Sequence, residues 1–170
     1  MSESEPIKKV SIICAHGGLE EVYPALILAN GARMEGIEAS IFFTFFGLNA
    51  IMKKKWNSLK VATVGNPSLN LAMPMLGMPI TWPFPTLLGA IPGVSDFATH
   101  LMKNEMEKLD IPPVPEFLEM IHDAGGEIYA CKLAMDMFKL TREDLVEPVD
   151  AILTVGEFYE HSAGATVLFT

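Results

Sequence analysis

Two cysteines carry most of the covalent chemistry this chain can offer. Cys131 lies in EIYACKLAMDMFKL, residues 127–140, where a short β-like run from Glu127 to Ala130 ends and a helical pattern begins, with Met135 and Met137 in its first turns. A sulfur at such a seam meets the unpaired N–H groups that open the helix, and their partial positive charge favours the thiolate, the nucleophilic form. Lys132 adds positive charge if its side chain turns back toward the sulfur. Cys14 stands in SIICAHGG, two residues before His16. Each thiol also admits a plainer reading, because cysteine is among the most buried residue types and a lone one after a strand is often an inert core filler. That reading is the stronger one for Cys14.

Cys14, His16, Cys131 and His161 form a zinc-like donor set if all four reach one edge of a sheet. The spacing lacks the paired C-x-x-C knuckle that makes such a site specific, so a polar or proton-relay role for either histidine is favoured over a metal. His100 and His122 fall on solvent-side helix positions. HGGLEE has too few glycines for a dinucleotide fingerprint, no G-x-x-x-x-G-K-[ST] occurs, and no G-x-S-x-G elbow is present. No cofactor is expected.

Positioning these residues requires a sheet. KVSIICA ending near Cys14 is a buried-strand pattern, and HGG turns sharply into a helix from about Glu20 to Met34, with Pro24 near its start. Ala29, Gly31 and Ala32 are small enough to let that helix lie close on a sheet. IEASIFFTF is continuous, β-branched and aromatic, as a strand covered on both faces should be, and Thr44 lies at its end. The unit is βαβ, which dictates a parallel sheet. Helices follow at about 94–109 and 116–124. The strand ending at Cys131 and its short helix come next, then a small helix N-capped by Thr141, a strand at 151–155, a last short helix and a strand at 166–169. The expectation is a three-layer α/β/α sandwich with a mostly parallel five-stranded sheet, in a single domain spanning 1–170. Cys14, His16, Thr44 and Cys131 then gather at the carboxyl ends of the strands, where open α/β sheets bind ligands.

Between about residues 53 and 93 this order breaks down. From Val61 to Ser95 no charged residue occurs, yet Pro67, Pro74, Pro79, Pro83, Pro85 and Pro92 interrupt the apolar run. Such a density of proline forbids a spanning helix, so no membrane span is expected. The favoured reading is an apolar Met- and Pro-rich insertion buried against a neighbouring subunit. A lid over the site and a contact with a membrane surface are the alternatives.

The chain has 170 residues, half of them hydrophobic, enough for one well-filled core. Its net charge of −9 opposes encounter with nucleic acid or an anionic lipid surface. The N-terminal MSESEPIKK lacks the apolar centre of a secretory signal, which points to the cytoplasm, where thiols stay reduced.

Three stretches taken together, ALILANGARMEGIEASIFFTFFGLN, PGVSDFATHLMKNEMEKL and IYACKLAMDMFKLTREDLVEPVD, resemble the DsrE/DsrF-like sulfur relay family, in particular its longer, peroxiredoxin-labelled branch linked to sulfur oxidation. FFTFFGLN and ACKLAMD are the specific parts, and the likeness covers nearly the whole chain in order. The resemblance implies an oligomeric α/β/α sandwich that carries sulfur on a cysteine, as a persulfide or thiosulfonate, between donor and acceptor proteins. The family's carrier cysteine matches Cys131; in some members a second cysteine takes part, and for Cys14, which has no secure counterpart, receiving sulfur, forming a resolving disulfide and merely filling space all stay open. Thr and Arg flanking a peroxidatic cysteine are missing near Cys131, so peroxidase activity is not implied. Where the family tends to carry a serine three residues after the cysteine this chain has Ala134, and Phe138 and Lys139 replace its Met-Gly. Two other readings stand beside the carrier: an oligomeric small-ligand module with structural thiols, and a Cys/His metal protein.

Overall fold

A computed structural model describes residues 6–62, 70–72, 81–83 and 93–170. By contact these divide into two compact units, one running to Leu59 and resuming at Pro112–Thr170, the other Lys60–Ile111.

The first unit is built on a five-stranded sheet. β1 (Lys9–Cys14) leads through the helix α1 (Leu19–Met34) to β2 (Glu38–Phe43), which runs into a 3-10 turn at Phe45–Ile51. The second unit supplies β3 (Asn70–Ala72), β4 (Thr81–Pro83) and α2 (Val94–Lys108). The first unit then resumes with α3 (Val114–Asp123), β5 (Glu127–Cys131), α4 (Lys132–Phe138), β6 (Ala151–Leu153), α5 (Val155–His161) and β7 (Thr166–Phe169). The strand order is β6-β5-β2-β1-β7, and every neighbouring pair is parallel.

Register fixes which side chains share a face. Ile13 stands opposite Phe42 and Phe42 opposite Tyr129, so this row points to one side of the sheet, and Cys14, Phe43 and Ala130 point to the other. The Phe42 side is covered by α5, whose Phe158 ring lies 4.5 Å from that of Phe42. Here too the buried Ser11 hydroxyl meets those of Ser40 and Ser162 at 3.1 and 2.8 Å, so polar atoms placed in the core have partners. The opposite face carries α1 and α3, as right-handed crossovers require. Tyr23 of α1 meets Phe117 of α3 edge to face at 6.0 Å and donates its hydroxyl to the Pro112 carbonyl at 2.9 Å. Leu19, Val22, Ala25, Leu26 and Ala29 form the buried stripe of α1. Gly31 does not join it: a Cβ built there would meet nothing within 4 Å, so the close approach expected at Gly31 is made by Ala25 and Ala29 instead.

In the second unit β3 and β4 pair antiparallel. Thr99 of α2 accepts the Val61 N–H at 2.9 Å, and Lys60 pairs with Asp96 at 2.6 Å. Most of the stretch expected to be an irregular apolar insertion, 63–69, 73–80 and 84–92, lies outside the described residues. Among the described residues no helix is long and apolar enough to cross a membrane.

Candidate functional site

The chain adds β1, β2, β5 and β6 in one direction and then crosses back to place β7 beyond β1. The connection leaving β6 therefore runs over the face opposite to those leaving β1 and β2, and α5 lies on that face. The strand order reverses between β1 and β7, so the switch-point crevice of this open sheet lies beyond the carboxyl ends of those two strands; the carboxyl end of β5 lies on the same edge of the sheet, with β2 and β1 between. Cys131 is the last residue of β5, in register with Leu153 at the end of β6.

Locally the cysteine is the joint between strand and helix. Its backbone is extended (φ −74°, ψ 117°), and α4 starts at the next residue, so Cys131 is the N-cap and its neighbours Lys132 to Ala134 supply the N–H groups that no helical carbonyl accepts. Its side chain makes no capping hydrogen bond, and the residue is 5% exposed. On the neighbouring strand Phe43 pairs with Ala130, which sets Thr44 beside Cys131 on the same face, about 5 Å away across the sheet. The Thr44 N–H donates to the Cys14 carbonyl at 3.0 Å, and its hydroxyl makes no cap bond to the turn that follows.

The Phe45–Ile51 turn is held unusually hard. Phe45 has φ 45°, a left-handed conformation that is an outlier for a bulky aromatic residue. It is fixed by the Gly47 N–H, shared between the Thr44 and Ala15 carbonyls at 2.9 and 3.1 Å. A Cβ on Gly47 would lie 2.1 Å from the Cys14 carbonyl oxygen, so only glycine permits this approach. Phe45 and Phe46 are thereby thrown outward, and the Phe46 ring meets Phe138 of α4 at 5.7 Å. Nothing in local composition announced this strain. The only trace in the sequence is a glycine inside an aromatic run, FFTFFGLN.

The structure separates the two thiols. Cys14 stands opposite Phe43, and Phe43 opposite Ala130, so two strand spacings, about 10 Å, divide Cys14 from Ala130, with Cys131 one residue further and on the other face. A disulfide needs α-carbons within about 7 Å, so one cannot form within this subunit without moving the backbone. Both cysteines are free. Cys14 is fully buried, its S–H directed at the His16 carbonyl 3.7 Å away, and desolvation pushes its thiol up to about 11. A thiol with that value is almost wholly protonated at pH 7, which is the condition of an inert core cysteine.

The remaining expected site residues fall in different places. The exposed His16 follows β1 at the carboxyl edge, its ring 6.4 Å from that of Phe169. Lys132 does not turn back to the sulfur; its Nζ holds Asp136 one turn along α4, at 2.7 Å from Oδ2. His161 ends α5, away from the carboxyl edge, because that helix runs back along the sheet. Its Nδ1 lies 3.1 Å from the hydroxyl of Tyr129, a buried phenol whose pKa is raised by desolvation and by Glu127 and Asp150. The four-residue donor set is not assembled, and among the described residues no three His, Cys, Asp or Glu side chains stand where they could hold one ion.

A parallel α/β sheet with a cysteine at the carboxyl end of an interior strand, presented by a strand-to-helix joint, defines a class of thiol-bearing α/β proteins. The chain belongs to the DsrE/DsrF/DrsH-like family, which matches residues 6–169. It is 37% identical over 143 residues to the sulfur carrier protein DsrE2 of Allochromatium vinosum, covering 84% of this chain and 86% of that one. It is 25% identical to YrkE of Bacillus subtilis over 98% of this chain and 99% of that one. Among solved structures, ychN of E. coli superposes with a TM-score of 0.54 at 14% identity, covering 97% of this chain and 100% of that one. MTH1491 of Methanobacterium thermoautotrophicum gives 0.53 at 10%, covering 95% and 98%. At such identities these two share the fold.

Proposed function

We propose that the chain is a sulfur carrier that holds sulfane sulfur or a thiosulfonate on Cys131 and passes it to a partner thiol, as a carrier rather than a multiple-turnover enzyme. The observation that carries this reading is the position of Cys131: end of β5, N-cap of α4, beside Thr44 on the carboxyl edge of the sheet. The name of the Allochromatium relative supports it.

In the reaction the Cys131 thiolate attacks the outer sulfur of a donor persulfide. A new S–S bond forms, the donor's S–S bond breaks, and the donor leaves as a thiolate. An acceptor thiolate then attacks the same outer sulfur and releases Cys131 with its electron pair, so nothing is oxidised or reduced overall. With tetrathionate as donor, thiosulfate leaves and the cargo is a thiosulfonate. The free N–H groups at the start of α4 and the Thr44 hydroxyl offer the cargo sulfur hydrogen-bond donors, the hydroxyl in place of the family serine that Ala134 has replaced. Cys14 fills space. In the same reading the chain is one cytoplasmic, homo-oligomeric domain whose apolar insertion screens the cargo from water.

Mass spectrometry of the intact protein after polysulfide treatment tests this. One added sulfur on Cys131, absent from Cys131→Ser and retained in Cys14→Ser, is the expected result. An unmodified wild type whose two thiols label only slowly and incompletely would favour the ligand module with structural cysteines.

A further inference from the structure

The carboxyl edge around Cys131 carries a surface that the sulfur transfer itself does not use. Phe45, Phe46, Leu133, Met137 and Phe138 are exposed, from 38% to 69%, on two segments that touch: α4 packs on the Phe45–Ile51 turn through the Phe46–Phe138 ring contact. Large apolar side chains grouped at a surface around a functional atom mark a contact with a partner. The turn is also stitched to the loop before β6, by an isolated antiparallel bridge between Met52 and Leu145 and by the Lys53 N–H donating to the Asp144 carbonyl at 3.0 Å.

The charges on these segments identify the partner's chemistry. Residues 44–57 and 132–147 carry Lys53, Lys54, Lys55, Lys132, Lys139 and Arg142 against Asp136, Glu143, Asp144 and Glu147, an excess of two positive charges in a chain whose net charge is −9. Three of the acids are engaged locally: Asp136 by Lys132, Glu147 by Lys53 at 3.8 Å, and Asp144 by the Thr141 N–H at 2.9 Å. Lys54, Lys55 and Lys139 are exposed, and Lys55 donates to the neutral amide of Asn49 at 3.0 Å. An acidic segment is repelled by the rest of the molecule and drawn to this edge, which orients its encounter.

We propose that this edge is the docking surface for an acidic, leucine-rich, cysteine-bearing segment of a partner protein, which packs on Phe46 and Phe138 and brings its thiolate to the outer sulfur on Cys131. The proposal rests on the carrier reading. The partner leaves as the persulfide and Cys131 as the thiolate, with no change in overall oxidation state. A flat anionic membrane is the less suitable occupant, because it must also meet the acidic remainder of the chain.

Two synthetic peptides test it, each with one cysteine flanked by leucines, one rich in Asp and Glu and the other in Lys and Arg. The full chain is loaded with polysulfide, freed of excess reagent, and its persulfide mass followed after each peptide is added. The acidic peptide should unload Cys131 about tenfold faster at low salt. That advantage should vanish in high salt and in the Lys54→Glu, Lys55→Glu, Lys139→Glu triple variant, which should still load normally. Equal rates, or a faster basic peptide, would overturn the docking surface while leaving the carrier intact. Fluorescence anisotropy with the acidic peptide carrying serine in place of cysteine needs no loading: salt-sensitive binding lost in the triple variant supports the surface, and no binding overturns it. Sedimentation with phosphatidylserine vesicles would overturn it in favour of a membrane.

Discussion

Burial holds the Cys14 thiol near 11, against an ordinary 9.0, because the folded interior solvates a thiolate poorly. The raised value means that the folded state grips the proton more tightly than the unfolded chain. Stability from this group is therefore complete below about pH 9 and is lost as pH climbs toward 11, by up to about 3 kcal/mol. Urea unfolding from pH 7 to 11 should show the wild type losing ground to Cys14→Ala across that window; parallel curves would contradict the assignment. Thr44 makes a second prediction. Replacing its hydroxyl in Thr44→Val should slow sulfur uptake by Cys131 about fivefold, the worth of roughly one hydrogen bond, and Thr44→Ser should restore it. The rate of polysulfide loading reads this directly. At this scale the sequence was legible for Cys131, since a thiol between a β-like run and a helical pattern is a local feature. Lys132 was not, because its preference for Asp136 one helical turn away is a competition between two acceptors that spacing alone leaves open. Whether His161 reaches the carboxyl edge was not legible either, because its position depends on the direction in which α5 crosses the sheet.

Short connections carry the strain that shapes the site. Phe45 at φ 45° costs about 1–2 kcal/mol relative to a right-handed conformation and persists because the flanking hydrogen bonds determine the turn. Phe45→Asn, which tolerates the left-handed region and gives up only an exposed ring, should raise the unfolding midpoint or leave it unchanged, whereas Gly47→Ala should lower stability by about 3 kcal/mol because its Cβ collides with backbone. Thermal unfolding of the two variants checks both; a stable Gly47→Ala would mean that the turn is held by something else. The regular elements were legible because they repeat. IEASIFFTF yielded β2, TVLF yielded β7 at Thr166–Phe169, and Thr141 caps a short 3-10 helix at Arg142–Asp144 through a box with Asp144. The outward face of Gly31 and the strain at Phe45 were not, since helix phase and turn conformation are fixed by contacts distant in sequence.

Across the whole molecule the βαβ reading led to the correct parallel sheet, because a buried strand, a helix and a second buried strand in sequence leave few other arrangements. What it could not supply was the return of the chain across the sheet to β7, which places the reversal of strand order between β1 and β7 and leaves Cys131 further along the same carboxyl edge, at the end of β5. Charge acts on the same scale: in an acidic chain the lysines near Cys131 should make exchange with acidic thiols faster and salt-sensitive, as the peptide comparison will read out. The central claim, that Cys131 is the sulfur-bearing atom, is tested most directly by intact-mass and peptide-level mass spectrometry after exposure to polysulfide. The account predicts one labile sulfur, removed by a reducing thiol and mapped to Cys131, in wild type and Cys14→Ser alike. Sulfur mapped to Cys14, or retained in Cys131→Ser, would contradict it.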